Sequence, residues 1–218
     1  AMLAKRINFG AEEPGDPAAK IWGRFPARKV ALVPAPVGLQ PSKYIQGKWR
    51  DGQFGATSAL GLQAVHDGTE LAIRLEWECE QPVATVIDND QFADAAALLF
   101  PLSESASLIM GAGGEPVSIW FWRADRPKVA HNNVAVGIGT SRLTSSPLIS
   151  TRAEHTHGRW ALVFRRALAA DAKAAAEVAP FDPGKAYRVA LAVWRGANAE
   201  RAGLKAFSPE WVELTLEA

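Results

Sequence analysis

The chain has 218 residues, with 24 basic and 23 acidic side chains and a formal net charge of +1. That length buries a single core without disulfides or a structural metal, and well-mixed charge lacks the one-sided basic excess of a nucleic-acid binder, so no nucleic acid is expected. No apolar run approaches the ~20 residues of a membrane span, and one cysteine, Cys79, excludes an internal disulfide, a Cys-x-x-Cys-His haem attachment and Cys-rich zinc or iron–sulfur sites.

Residues 1–40 are rich in proline and glycine and read as an extended N-terminal arm lying against a partner, ahead of one domain over 41–218. The stretch "TSALGLQAVHDGTELAIRLEWEC" is two alternating runs joined around Asp67-Gly68, a pair that suits a tight hairpin. Cys79 continues the face Leu71, Ile73, Leu75, Trp77 and is expected to be a buried strand residue. "AAALLFPL", "PVSIWFW", "NVAVGIGTS", "RWALVFRRAL", "AYRVALAVW" and "WVELTLEA" are further strand candidates, separated by turn-forming residues. The pattern predicts a mainly all-β chain, an antiparallel β-sandwich with a few short helices. Alanine content places one short helix at 167–179.

Eight tryptophans are many for this length, and Trp77, Trp120, Trp122, Trp160, Trp194 and Trp211 fall on or beside strand candidates. Most fill the core. Trp120 and Trp122 share one face of their strand while Phe121 takes the other, so that strand is buried on both faces or lines an apolar pocket suited to a flat cofactor.

The motifs of common catalytic sites are missing. There is no Gly-x-Gly-x-x-Gly after a strand, no Gly-x-x-x-x-Gly-Lys-Ser/Thr and no Gly-x-Ser-x-Gly elbow. The histidines are His66, His131, His155 and His157. His155 and His157 would share one side of an extended strand, yet they lack a carboxylate or cysteine at ligand spacing. Asp88, Asp90 and Asp94 read as a solvated turn. Met110 precedes a glycine-rich segment, "GAGGEP", and Lys205 sits in "AGLKAF"; taken singly, each is unremarkable.

Taken together they fit a pattern. "SLIMGAGGEPVSIWFWRAD" and the later "VALAVWRGANAERAGLKAFSPEWVELTLE" resemble the haem-binding γ subunits of the ethylbenzene dehydrogenase, dimethylsulfide dehydrogenase, chlorate reductase and steroid C25 dehydrogenase type. The resemblance covers residues 90–125 and 185–217, and Lys205 is the only lysine after Lys185. It implies one non-covalent haem b whose iron has Met110 and Lys205 as axial ligands. It also implies a non-catalytic electron-transfer subunit of a periplasmic heterotrimer, its export signal removed and Ala1-Met2 a processed or engineered start. An α subunit would carry a molybdenum bis-molybdopterin guanine dinucleotide, and a β subunit iron–sulfur clusters. An external carrier such as a cytochrome c would exchange electrons with the complex. Two alternatives remain open on the residues alone, namely a haem-free carbohydrate- or ligand-binding sandwich and a free-standing haem electron carrier.

Overall fold

The computed structural model describes residues 1–144, 149–172, 174 and 176–218. Its strands in chain order are β1 (Met2–Arg6), β2 (Arg28–Ala31), β3 (Val33–Pro34), β4 (Ala59–His66), β5 (Glu70–Glu78), β6 (Ala95–Pro101) and β7 (Val117–Arg123). They continue with β8 (Val129–Ala135), β9 (Arg142–Leu143), β10 (Ile149–Thr156), β11 (Arg159–Ala167), β12 (Ala186–Trp194), β13 (Ala206–Phe207) and β14 (Val212–Leu216). Two short α-helices, α1 (Phe9–Glu12) and α2 (Lys43–Lys48), accompany them.

Neighbouring strands run β14-β1-β4-β5-β11-β10-β8-β7-β6-β12, and β12 also pairs with β14. The ladder therefore closes on itself, a sandwich whose two layers are joined along both sides. Pairing is antiparallel except for β1, which runs parallel to β14 and β4. The hairpin at Asp67 forms as expected: His66 lies opposite Leu71, and Asp67 Oδ1 accepts from the backbone N–H of Thr69 and Glu70 at 2.8 and 2.7 Å.

Period-two alternation fills the space between the layers. Leu71, Ile73, Leu75, Trp77 and Cys79 of one layer meet Ala96, Leu98, Phe100, Trp120 and Trp122 of the other, all buried. Trp77, Trp122 and Trp160 contact one another, with Trp122–Trp160 centroids 5.4 Å apart in an edge arrangement. Cys79 is a buried core residue as expected, and burial, followed by the Asp94 carboxylate beside it, pushes its thiol up to about 12.

Several expectations change. Residues 1–40 are built into the fold rather than extended from it. β1 lies between β14 and β4, and Phe9, Ile21 and Trp22 pack on the outer face of β4, β5 and β11 against Val65, Ala72 and Val163. The helix expected at 167–179 is replaced by the end of β11 and turns among the described residues, Lys173 and Ala175 lying outside them. Alanine is the best helix former, but propensity yields to tertiary context, and here Val178, Ala179 and Phe181 are drawn into the core. "NVAVGIGTS" is half right: β8 starts earlier, at Val129, and the chain turns after Ala135.

Asp94 separates from its expected cluster. Asp88 and Asp90 are exposed, but Asp94 is fully buried. Its carboxylate accepts from Val83 N–H and Gly196 N–H at 2.8 Å each, from Trp160 Nε1–H at 2.9 Å and from Cys79 Sγ–H at 3.5 Å. It ties four segments together at the start of β6.

Candidate functional site: an apolar cavity on the outer face

Strands β6, β7 and β12 are buried on both faces. Their inward residues belong to the core, and their outward residues form the floor of a cavity of about 420 Å³. Register aligns that floor in rows. Phe207, Ala192, Ala97 and Phe121 lie side by side across four strands, and Ala190, Leu99 and Ile119 across three. Alanine at the centre is what makes room, since a larger side chain at 97 or 192 would stand in the cavity. Loops at 35–41, 108–110, 138–141 and 202–205 form the walls. The cavity therefore lies on the Phe121 side of β7, with Trp120 and Trp122 facing the core.

Met110 and Lys205 come together here. Lys205 Nζ is 3.8 Å from Met110 Sδ, and both line the cavity. Met110 has the left-handed conformation, φ +56°, which costs a side-chain-bearing residue about 1–2 kcal/mol. The next residue must be glycine: Gly111 has φ +77°, and a Cβ there would meet Glu115 O at 2.5 Å. Met110 O accepts from Gly137 N–H at 2.8 Å, which fastens the turn to the loop after β8.

Lys205 immediately precedes β13, which pairs with β12 and β3. Its backbone carbonyl accepts from Ala35 N–H at 2.9 Å, and its ammonium position lies 5.3 Å from the centre of the Trp194 ring. Burial among apolar groups lowers its pKa to about 8. Desolvation penalises the charged form, so the neutral amine is unusually accessible.

The other candidates lie elsewhere. His155 is on β10, where its Nε2 pairs with Cys79 O at 2.7 Å, and His157 occupies a turn with φ +50°. No group of three His, Cys, Asp or Glu residues arranged to hold a metal ion occurs among the described residues, and none of their helices is long and apolar enough to cross a membrane. Sequence reasoning missed Gln40, Trp194 and the alanine floor. Part of the signal for the floor was present: β12 alternates inward Val189, Leu191 and Val193 with outward Ala190 and Ala192, whereas in β6 three consecutive alanines, Ala95 to Ala97, hide which face is outward.

Fold and site together define a β-sandwich with an apolar outer-face cavity, entered by one thioether and one easily neutralised amine. The chain belongs to the ethylbenzene dehydrogenase family, whose profile matches residues 19–146 and 136–206. It is 31% identical to the chlorate reductase subunit gamma of Ideonella dechloratans, covering 97% of this chain and 84% of that protein. It is 31% identical to the dimethylsulfide dehydrogenase subunit gamma of Rhodovulum sulfidophilum, covering 91% and 74%. A Haloferax mediterranei protein named as a respiratory nitrate reductase heme subunit is 30% identical over 92% of this chain and 67% of its own. Among solved structures, a protein described as carbohydrate-binding from Bacteroides uniformis superposes with a TM-score of 0.57 at 10% identity, covering 99% of this chain and 98% of that one. That likeness shows the fold alone.

Proposed function

We propose that this chain is the haem-carrying, electron-transferring γ subunit of a molybdenum oxidoreductase complex, and that Met110 and Lys205 are the axial ligands of one non-covalent haem b. The observation that carries the reading is the meeting of these two side chains, 3.8 Å apart inside an apolar cavity.

The donors suit the group. Met110 Sδ and Lys205 Nζ would hold the iron, one as a soft thioether and the other as a neutral amine, and they already meet at the cavity. The alanine rows offer a flat apolar floor, and the cavity volume falls within the usual range for cofactor sites. When bound, a haem supplies one-electron chemistry at a potential that a methionine ligand tends to raise.

The chain's own residues supply the rest. Met110 presents a soft, neutral sulfur. Lys205 must give up its proton to bind a metal, and the apolar surroundings that lower its pKa to about 8 make that release easier. Leu99, Ile119 and Phe121 exclude water from the floor. If Met110 and Lys205 both served as donors, the protein itself would occupy the positions a substrate would need, which accords with a non-catalytic role beside an α subunit that carries molybdenum. A β subunit with iron–sulfur clusters and an external carrier such as a cytochrome c complete the electron path, in a periplasmic setting.

A visible spectrum and pyridine haemochrome of the purified chain test the reading. A b-type spectrum at one haem per chain is expected, and a colourless protein that takes up no added haem would overturn it.

A further inference from the structure

The loop that carries Lys205 is held at three of its carbonyl groups. Trp194 Nε1–H donates to Ala202 O at 2.8 Å, Gln40 Nε2–H to Gly203 O at 3.0 Å and Ala35 N–H to Lys205 O at 2.9 Å. Two of these donors are side chains, and both line the cavity themselves.

The fit is close. Gln40 is only 5% exposed, and a Cβ on Gly203 would lie 1.9 Å from Gln40 Oε1, so any larger residue at 203 would push that amide aside. Ala202 has φ +51°, a conformation that the loop holds against its own preference. Gln40 is fixed in turn by Gln46 Nε2–H, which donates to Gln40 O at 2.7 Å. Trp194 stands at the end of β12 opposite Ala95 of β6, and its ring meets Phe121 edge-on at 5.2 Å. That ring also lies 5.3 Å from Lys205 Nζ. Trp194 thus lies beside the lysine's tip through its ring and holds the loop three residues earlier, at Ala202 O, through its indole N–H.

We infer that Gln40 and Trp194 are positioning residues for Lys205, a two-point clamp that aims its amine at Met110. The inference rests on Lys205 being an iron ligand. A lysine side chain has four rotatable bonds and a mobile tip, so a loop free to shift would let the amine swing away. The clamp removes that freedom before the metal arrives, as outer groups do for ligands at other metal sites, where losing one typically costs 10–100-fold.

The test uses the full chain purified with haem. Trp194→Phe keeps a ring and loses the N–H donor, and Gln40→Met keeps the length and loses the amide. Each is expected to retain haem while its ferric electron paramagnetic resonance signal splits into more than one low-spin species and its ferrous form binds carbon monoxide about tenfold faster. Gln40→His, which can restore a donor, is expected to recover part of the single signal. Lys205→Ala is the reference. Should it keep the wild-type signal, the ligand assignment falls and the clamp with it. Should Lys205→Ala lose that signal while Trp194→Phe and Gln40→Met both keep it, with unchanged carbon monoxide uptake, the clamp alone is overturned. Gln40→Met carries the test by itself if Trp194→Phe does not fold.

Discussion

Lys205 Nζ and Met110 Sδ stand 3.8 Å apart although 95 positions separate them in the chain. A thioether is a poor partner for an ammonium group, and burial is the influence that moves the Lys205 pKa, with no carboxylate opposing it. On the proposed reading the pair donates to one metal. If that is iron, the isolated protein is six-coordinate and low-spin in both oxidation states. Met110→Ala and Lys205→Ala will each open a position for carbon monoxide, read as a shifted Soret band, and His155→Ala or His157→Ala will not.

Lys205 also sets a pH dependence. Its pKa in the haem-free pocket, about 8, is lower than the ~10.4 of an unfolded lysine. Between those values the unfolded chain holds a proton that the folded one has released, so stability of the haem-free protein rises with pH across that window. Haem affinity is expected to be flat above about pH 8 and to fall roughly tenfold per unit below it, as protons compete for the amine. Haem titrations from pH 6 to 9 check this, and Lys205→Met should abolish the slope.

Filling the floor separates binding from folding. Ala192→Leu or Ala97→Leu adds a branched side chain facing the cavity, away from the core. Haem content is expected to drop at least tenfold while the thermal midpoint of the haem-free protein stays within a few degrees. Unchanged haem content would place the cofactor elsewhere.

Asp94 is the polar residue on which the core depends most. Asp94→Asn replaces one carboxylate oxygen by an amide N–H₂, which then faces either Gly196 N–H at the Oδ1 position or Val83 N–H and Trp160 Nε1–H at the Oδ2 position. At about 1–3 kcal/mol for each buried donor left unpaired, the loss of stability is expected to be about 1–3 kcal/mol with the amide toward Gly196 and larger with it toward Val83 and Trp160, measured by denaturant unfolding. A loss under 1 kcal/mol would contradict the arrangement.

Cys79 should be inert. Its thiol, pushed up to about 12 by burial and the Asp94 carboxylate, is not a thiolate at neutral pH. Thiol reagents are expected to leave it unmodified in the native protein and to react at once in denaturant. Rapid labelling of the native chain would refute the burial.

How much of this was legible beforehand depended on range. Strong alternation made β5, β6, β7, β11 and β12 readable, because an inward face of Leu, Ile, Phe and Trp is written in adjacent residues. β10 was not, since "ISTRAEHT" is mostly polar and gains its place by pairing with β11. β1 and β2 were hidden for a related reason: short strands in a proline-rich segment owe their existence to β4 and β14, distant in the chain. At the site, resemblance supplied Met110 and Lys205. Gln40 and Trp194 act through single hydrogen bonds to backbone carbonyls, and no spacing rule announces such bonds.

The cavity opens on the outside of a ladder that is already closed and already filled by its own tryptophans and leucines. Among the described residues, the space between the layers is taken up by side chains. A receptacle built this way can be finished first and stocked later, so the pace of synthesis need not match the supply of pigment. The empty chain would then be a durable intermediate of assembly, a ready acceptor instead of a casualty of scarcity.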